Sequence, residues 1–302
     1  MKNESIKLDI MKTRETMEIV LGDINRKMND KDGIIGCPTG FTEVDKMLGG
    51  LQGGKLYCLA ARPSMGMTSF ALNISLHSAL KNQVNTVYFS LELSTKQIIS
   101  RLLSIESRVD SSAIRTGVLD DKEWKNVKES ADDISHAPFA VIDDCWELEE
   151  IEEKCLDMFN DDTDGLIVID YLQLISASNI FKSSKKEPNI KIEISYIVRR
   201  LKLLANKINV PIIILSQISH CVDNRPRLYD FMDGDITIFS DVVLFLYRDD
   251  YYNSESEKPG VTEFMVVKNS DGSTGTIDLA WIWKYQKFAN LVYLDSSKQM
   301  KN

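Results

Sequence analysis

The stretch Leu56-Tyr57-Cys58-Leu59-Ala60-Ala61-Arg62-Pro63-Ser64-Met65-Gly66-Met67-Thr68 decides the fold. Its first six residues are apolar and of strand length, and a helical pattern opens at Thr68. Between them lies a turn in which Gly66 permits a tight backbone approach. A strand feeding a helix through such a turn is the setting of a phosphate-binding loop. There, N–H groups of the turn and of the helix N-terminus face phosphate, and a Ser or Thr hydroxyl holds Mg²⁺. Thr68 is in place for that metal, but Met67 stands where a lysine would contact the β- and γ-phosphates. An ordinary strand-turn-helix reads similarly, so the rest of the chain has to decide.

Beyond this stretch, short β-branched and aromatic runs alternate with helical patterns, the mark of βαβ units on a mostly parallel sheet. The runs predict strands at Leu56 to Ala61, Thr86 to Glu92, Phe139 to Asp144, Leu166 to Leu172, Pro211 to Gln217 and Asp241 to Arg248. Helices are expected over Thr68 to Leu80, Lys96 to Ser107, Asp121 to Ile134, Trp146 to Phe159 and Ile192 to Asn206. After Arg248, EFMVVKN and TIDLAWIWKY flank a Ser-Asp-Gly-Ser-Thr-Gly turn, so antiparallel strands extend the sheet. The Ser/Lys-rich Ser176 to Asn189 and the polar His220 to Thr237 read as mobile loops. Upstream, Met17, Ile19, Val20, Leu21, Ile24 and Met28 recur at mostly helical spacing before a charged loop that ends at Gly33. This amphipathic helix packs either on its own domain or on a neighbouring subunit.

With 302 residues, 43% of them hydrophobic, the chain is long enough to bury a substantial core. Its net charge of −9 supplies no global positive field, so DNA binding would need a local basic surface. Cys37, Cys58, Cys145, Cys155 and Cys221 are scattered with no C-x-x-C pair, which argues for reduced thiols in the cytoplasm and against a zinc site. MKNESIKLDIMKTRETMEIV carries charges throughout, so neither a signal peptide nor a membrane anchor is expected.

Eight segments follow in order: GCPTGFTEVDKMLGGLQGG (Gly36 to Gly54), AARPSMGMTSFALNIS (Ala60 to Ser75), FSLELS (Phe89 to Ser94), RLLSIESRVD (Arg101 to Asp110), IRTG (Ile114 to Gly117), LIVIDYLQLI (Leu166 to Ile175), VPIIILSQIS (Val210 to Ser219) and FLYRDDYYNSESEK (Phe245 to Lys258). From about Gly36 to about Leu291 the chain thereby resembles the C-terminal ATPase domain of DnaB-type replicative DNA helicases. The resemblance implies a RecA-like P-loop NTPase fold of α/β class over 36–302, preceded by a linker helix and loop over 1–35. The family's separate primase-contacting N-terminal domain has no counterpart in this sequence. ATP and Mg²⁺ are the implied cofactors, with the nucleotide held by Arg62, Pro63, Ser64, Met65, Gly66, Met67, Thr68, Ser69 and Arg248. Glu92 matches the carboxylate that orients the attacking water, Asp170 the acid that holds Mg²⁺ through water alongside Thr68, and Gln217 the γ-phosphate sensor. Each ends a strand, where ligands of parallel sheets bind.

Three positions depart from the family pattern. Met67 fills a lysine's volume without its charge. Lys268 is retained in the lysine-x-arginine finger that acts in trans, but Ser270 replaces the arginine, and such fingers are worth roughly 10³–10⁵ in rate. The loop that grips DNA reads Asp230-Phe231-Met232-Asp233-Gly234-Asp235-Ile236, with carboxylates where the family has arginine. Arg225 and Arg227, just upstream, are the remaining cations for a weak single-stranded DNA contact. The resemblance therefore points first to a non-catalytic relative that binds nucleotide weakly and associates with an active DnaB-type helicase or a loader. A second reading is an active ATP-dependent DNA helicase in which Arg62, Lys55 or a neighbour's Lys268 replaces the lysine. A third is an ATP-dependent assembly switch that does not translocate. The family's assembly is a hexameric ring.

Overall fold

The computed structural model of the chain describes residues 13–22, 24–25, 28, 34–159, 164–177, 190–218, 225–230 and 235–291. Residues 13–22 form helix α1, whose Met17, Ile19, Val20 and Leu21 are all exposed. Next come α2 (Thr42–Leu48), β1 (Leu56–Ala61), α3 (Met67–Asn82), β2 (Asn85–Ser90), α4 (Thr95–Ser107), α5 (Ser111–Thr116), α6 (Asp121–His136), β3 (Phe139–Ile142), α7 (Leu148–Met158), β4 (Gly165–Asp170), α8 (Ile190–Ile208), β5 (Ile212–Gln217), β6 (Val242–Tyr247), β7 (Val261–Asn269), β8 (Gly275–Ile282) and β9 (Lys287–Asn290). Most of the Ser176 to Asn189 loop, parts of the His220 to Thr237 loop and residues 231–234 of the carboxylate-rich loop lie outside the described residues.

All the long strands predicted from apolar runs are present, and β1 has the boundaries expected of it. The run at Pro211 to Gln217 ends as expected but starts one residue later, and the other four were read one or two residues too long at the C-terminal end, where the chain leaves the ladder at the sheet's mouth. Glu92 and Arg248 are such residues, each lying just past its strand. The strands pair in one nine-stranded sheet in the order β3-β2-β4-β5-β1-β6-β7-β8-β9. From β3 to β6 the pairing is parallel, and from β6 to β9 it is antiparallel. TIDLAWIWKY does not run on as one strand: it ends β8 and turns through Trp283–Tyr285 into β9.

Continuous burial of the central strands follows from helices covering both faces. Along β1, alternate side chains enter opposite layers. Leu56, Cys58 and Ala60 join a core packed under α7 and α8, whereas Tyr57, Leu59 and Ala61 join the core under α3 and α4. Helix α4 begins with a capping box at Ser94 and Gln97, and α6 with another at Asp120 and Glu123, which satisfy N–H groups that the helices leave open. Among the described residues no helix is long and apolar enough to cross a membrane.

Candidate functional site

The parallel strands deliver their C-terminal ends to one rim. In register, Ala61 of β1 faces Gln217 of β5 on one side and Leu246 of β6 on the other, while Ser90 of β2 faces Asp170 of β4. The turn after β1 is built for a close backbone approach. Ser64 (φ 68°) and Gly66 (φ 92°) both take left-handed conformations, and Gly66 forms the N-cap of the 16-residue helix α3. A side chain at Gly66 would press on Phe288, whose ring lies 3.1 Å from where a Cβ would stand. Pro63 and Ser64 are exposed, Met65 is fully buried, and Met67, Thr68 and Ser69 open the helix. Helix α3 is anchored from below: Asn73 donates to the Gln286 carbonyl at 3.0 Å and accepts from the Phe288 N–H at 3.2 Å, and Ser69 bonds Gln286 at 3.3 Å. The open N–H groups of a helix this long, with the preceding turn, suit an anion.

Asp170 is 2% exposed, and its Oδ2 accepts the Tyr88 hydroxyl at 2.7 Å. Its other oxygen, Oδ1, is buried without a hydrogen-bond partner. Burial pushes this carboxyl above the usual range, opposed by Tyr88 and by the adjacent Thr68 side chain, while the charge of Glu92 pushes it further up. Thr68, Glu92 and Asp170, which are distant in sequence, thus share one locality. A buried carboxylate with an unsatisfied oxygen beside a hydroxyl is chemistry that fits a hydrated divalent cation. Tyr88 is a partner that the sequence reading missed; it sits inside an apolar run where its hydroxyl carries no local signal.

Gln217 ends β5, where Gln173 braces it. The Gln173 amide donates to Ser216 Oγ at 2.8 Å and its carbonyl accepts the Gln217 N–H at 3.4 Å. Arg248 pairs with Asp250 at 3.1 Å and lies 5.8 Å over the Trp281 ring. Trp281 also reaches within 3.8 Å of a Cβ position at Gly66, so Arg248 belongs to the surroundings of the phosphate loop. Arg62 lies 5.2 Å over the Tyr252 ring at the same rim.

Other candidates are placed elsewhere. Lys55 precedes β1 and pairs with Asp271 at 2.7 Å. A six-residue strand, about 20 Å long, separates it from the turn, so Lys55 cannot substitute for a lysine there. Lys268 faces Val243 near the start of β6 and donates to the carbonyls of Thr237 and Ser240 at 2.8 and 2.6 Å. It therefore lies toward the opposite end of the parallel strands from its own chain's phosphate loop. Ser270 donates backbone and side-chain bonds to the Asp241 carbonyl. Arg225 is ion-paired with Glu263 and Arg227 bonds the Tyr229 hydroxyl, which leaves neither projecting alone. Met67 packs against the apolar cluster under α3.

Comparison with known proteins agrees with this architecture. Residues 36–290 match the family model described as the DnaB-like helicase C terminal domain. The replicative DNA helicase DnaB of Geobacillus stearothermophilus is 41% identical over 271 residues, covering 87% of this chain and 59% of that protein. Among solved structures, the ATPase domain of G40P superposes with a TM-score of 0.85 at 31% identity, covering 92% of this chain and 98% of that one. The RadB recombinase, at 16% identity and a TM-score of 0.52 over 85% of this chain and 100% of that one, shares the fold alone. The chain spans about three-fifths of the length of the curated relatives it matches.

Proposed function

Because the chain belongs to the family of DnaB-like helicase C-terminal domains, we propose that it is a helicase-like subunit of DNA replication that holds a magnesium nucleotide weakly, does not turn it over, and acts by association with an active replicative helicase or its loader. Residue Met67 carries this reading. It opens α3 at the position where the phosphate loop requires a cation, and its thioether packs into apolar neighbours. A lysine there contributes charge both to triphosphate binding and to the transition state. Losing it costs on the order of kcal/mol in each, and every 1.4 kcal/mol is a factor of about ten in rate.

In this reading the turn Arg62 to Gly66 and the N-terminus of α3 receive the phosphates, and Ser69 supports the helix end. Thr68 and Asp170 would hold Mg²⁺, the latter through water, and the ion would supply positive charge to offset that of the phosphates. Glu92 is positioned to polarise a water, and Gln217 to report on the terminal phosphate. Arg248 faces the same region. Lys268 reaches only a neighbour's nucleotide, and Ser270 supplies no positive charge beside it. Residues 1–35 act as a linker whose apolar helix packs on the next copy of a ring. Single-stranded DNA is gripped poorly, since the loop that includes Asp230 and Asp235 repels phosphate.

Arg62 favours a second reading. Of the three substitutes Arg62, Lys55 and Lys268, it is the one that lies in the phosphate loop, and with it the chain becomes an active ATP-dependent helicase motor. Steady-state ATP turnover with Mg²⁺, with and without single-stranded DNA and beside Met67→Lys, separates the two. Turnover that DNA stimulates in the unmodified chain supports the motor and ends the non-catalytic reading. An inert chain that stays inert as Met67→Lys directs attention to the partner.

A further inference from the structure

The Asp170 carboxylate is held by a group to which the nucleotide reading gives no part. Along β2 and β4 the register sets Tyr88 opposite Val168 and Ser90 opposite Asp170. Side chains two residues apart on a strand share a face, and Tyr88 and Val168 both belong to the core under α3 and α4, so Ser90 and Asp170 face that layer too. Ser90, the direct neighbour of Asp170, donates its hydroxyl to the Leu93 carbonyl at 2.6 Å and is thereby committed elsewhere. Tyr88, two residues before it, reaches diagonally instead and donates to Oδ2 of Asp170 at 2.7 Å. Its side chain is 0% exposed, so packing fixes the ring and the hydroxyl has no solvent to turn to. The other oxygen, Oδ1, is buried without a hydrogen-bond partner. Buried polar atoms are normally paired, and one tied oxygen beside one open oxygen is an asymmetry that packing does not require.

From this asymmetry we infer that Tyr88 is a positioning residue for the metal: by tying Oδ2 it fixes the plane of the Asp170 carboxylate and leaves Oδ1 as the acceptor for the hydration shell of Mg²⁺. The inference rests on the magnesium nucleotide reading above and adds to it the residue that orients the carboxylate. The last torsion of an aspartate is broad, so a carboxylate without a fixed donor has no single orientation. Mg²⁺ keeps several waters in a near-ideal octahedron, and an acceptor that meets one of them must stand at a fixed place. Hydrogen-bond partners of metal-ligating groups are worth roughly 10- to 100-fold in metal affinity. Asp170 acts through water, so the lower end of that range applies to Tyr88.

Binding of a fluorescent ATP analogue to the full chain, titrated with Mg²⁺ and repeated in EDTA, tests this. In Tyr88→Phe, which keeps the ring and its packing, the Mg²⁺ concentration for half-maximal binding is expected to rise roughly tenfold, while binding in EDTA matches the unmodified chain. In an Asp170→Asn background the same substitution should add nothing, because the carboxylate through which it acts is gone. Ser90→Ala, which removes the nearer hydroxyl, is expected to leave the Mg²⁺ requirement unchanged. Should Tyr88→Phe fail to fold, Tyr88→Leu, which leaves room for a water against Oδ2, is read in its place. A Mg²⁺ requirement that the loss of the hydroxyl does not shift overturns the inference. So does an equal weakening with Mg²⁺ and in EDTA, the mark of a bond that only supports the fold, or a shift of the same size in Ser90→Ala. Analogue binding absent from the unmodified chain at every Mg²⁺ concentration ends the nucleotide reading and this inference with it.

Discussion

At the scale of single residues, two side chains determine the chemistry of the rim. Met67→Lys restores one ammonium facing phosphate, and charge-assisted bonds of this type contribute about 1.5–3 kcal/mol. We expect Mg–ATP to bind about 10- to 100-fold more tightly to Met67→Lys, as read by titration calorimetry. Asp170 has the opposite character, because its negative charge is costly in the fold. Its folded pKa is raised by burial above that of an unfolded aspartate. The protonated form is the one the fold prefers, so the penalty sets in as pH rises above the unfolded pKa and is complete above the folded one. Asp170→Asn should therefore raise Tm at pH 7 without Mg²⁺, by about 2–4 °C for each kcal/mol recovered, while Mg²⁺-dependent nucleotide binding is lost. Below the ordinary aspartate range the gain in Tm should vanish.

At the scale of elements, the phosphate loop depends on how α3 is held by the antiparallel end of the sheet. Asn73 is 8% exposed and bonds three backbone groups: the Ser69 and Gln286 carbonyls and the Phe288 N–H. Asn73→Ala leaves the buried groups of β9 and its preceding turn unpaired, each at about 1–3 kcal/mol. Urea unfolding should show a loss of at least about 2 kcal/mol, with nucleotide affinity falling as well because Gly66 and Phe288 lose their register. An Asn73→Ala protein as stable as the parent would mean that β9 does not brace the helix.

At the scale of the whole molecule, α1 presents Met17, Ile19, Val20 and Leu21 to solvent, with exposures of 49% to 62%. An apolar stripe of this kind marks an association surface. Light scattering should find oligomers whose population drops in the double variant Ile19→Glu/Leu21→Glu, without loss of helical signal from the core. A monomer at all concentrations in the parent chain would remove the linker reading of residues 1–35. For nucleic acid, an excess of acidic over basic residues predicts fluorescence anisotropy with oligo-dT that is weak even at 50 mM salt.

Much of this was legible in one dimension because it is governed by local periodicity. Six apolar runs became the six strands of the parallel region, since a strand buried on both faces must be apolar throughout. Glu92, Asp170 and Gln217 were placed at strand ends from position alone, and the family pattern supplied their expected roles. Met67 and Ser270 stood out against that pattern without any coordinates. Other features required the tertiary structure, because they are pairings between side chains far apart in the chain. Tyr88 under Asp170 spans two strands that meet only in the sheet, and the exclusion of Lys55 depends on which end of β1 it occupies. Short turns of helix such as α2 and α5, of seven and six residues, were not read because they are too brief to show a helical period. The Arg62, Tyr252, Tyr247 and Arg225 contacts join positions from three segments of the chain. No spacing rule connects them, and only the closure of the parallel sheet brings their ring faces and cations into contact.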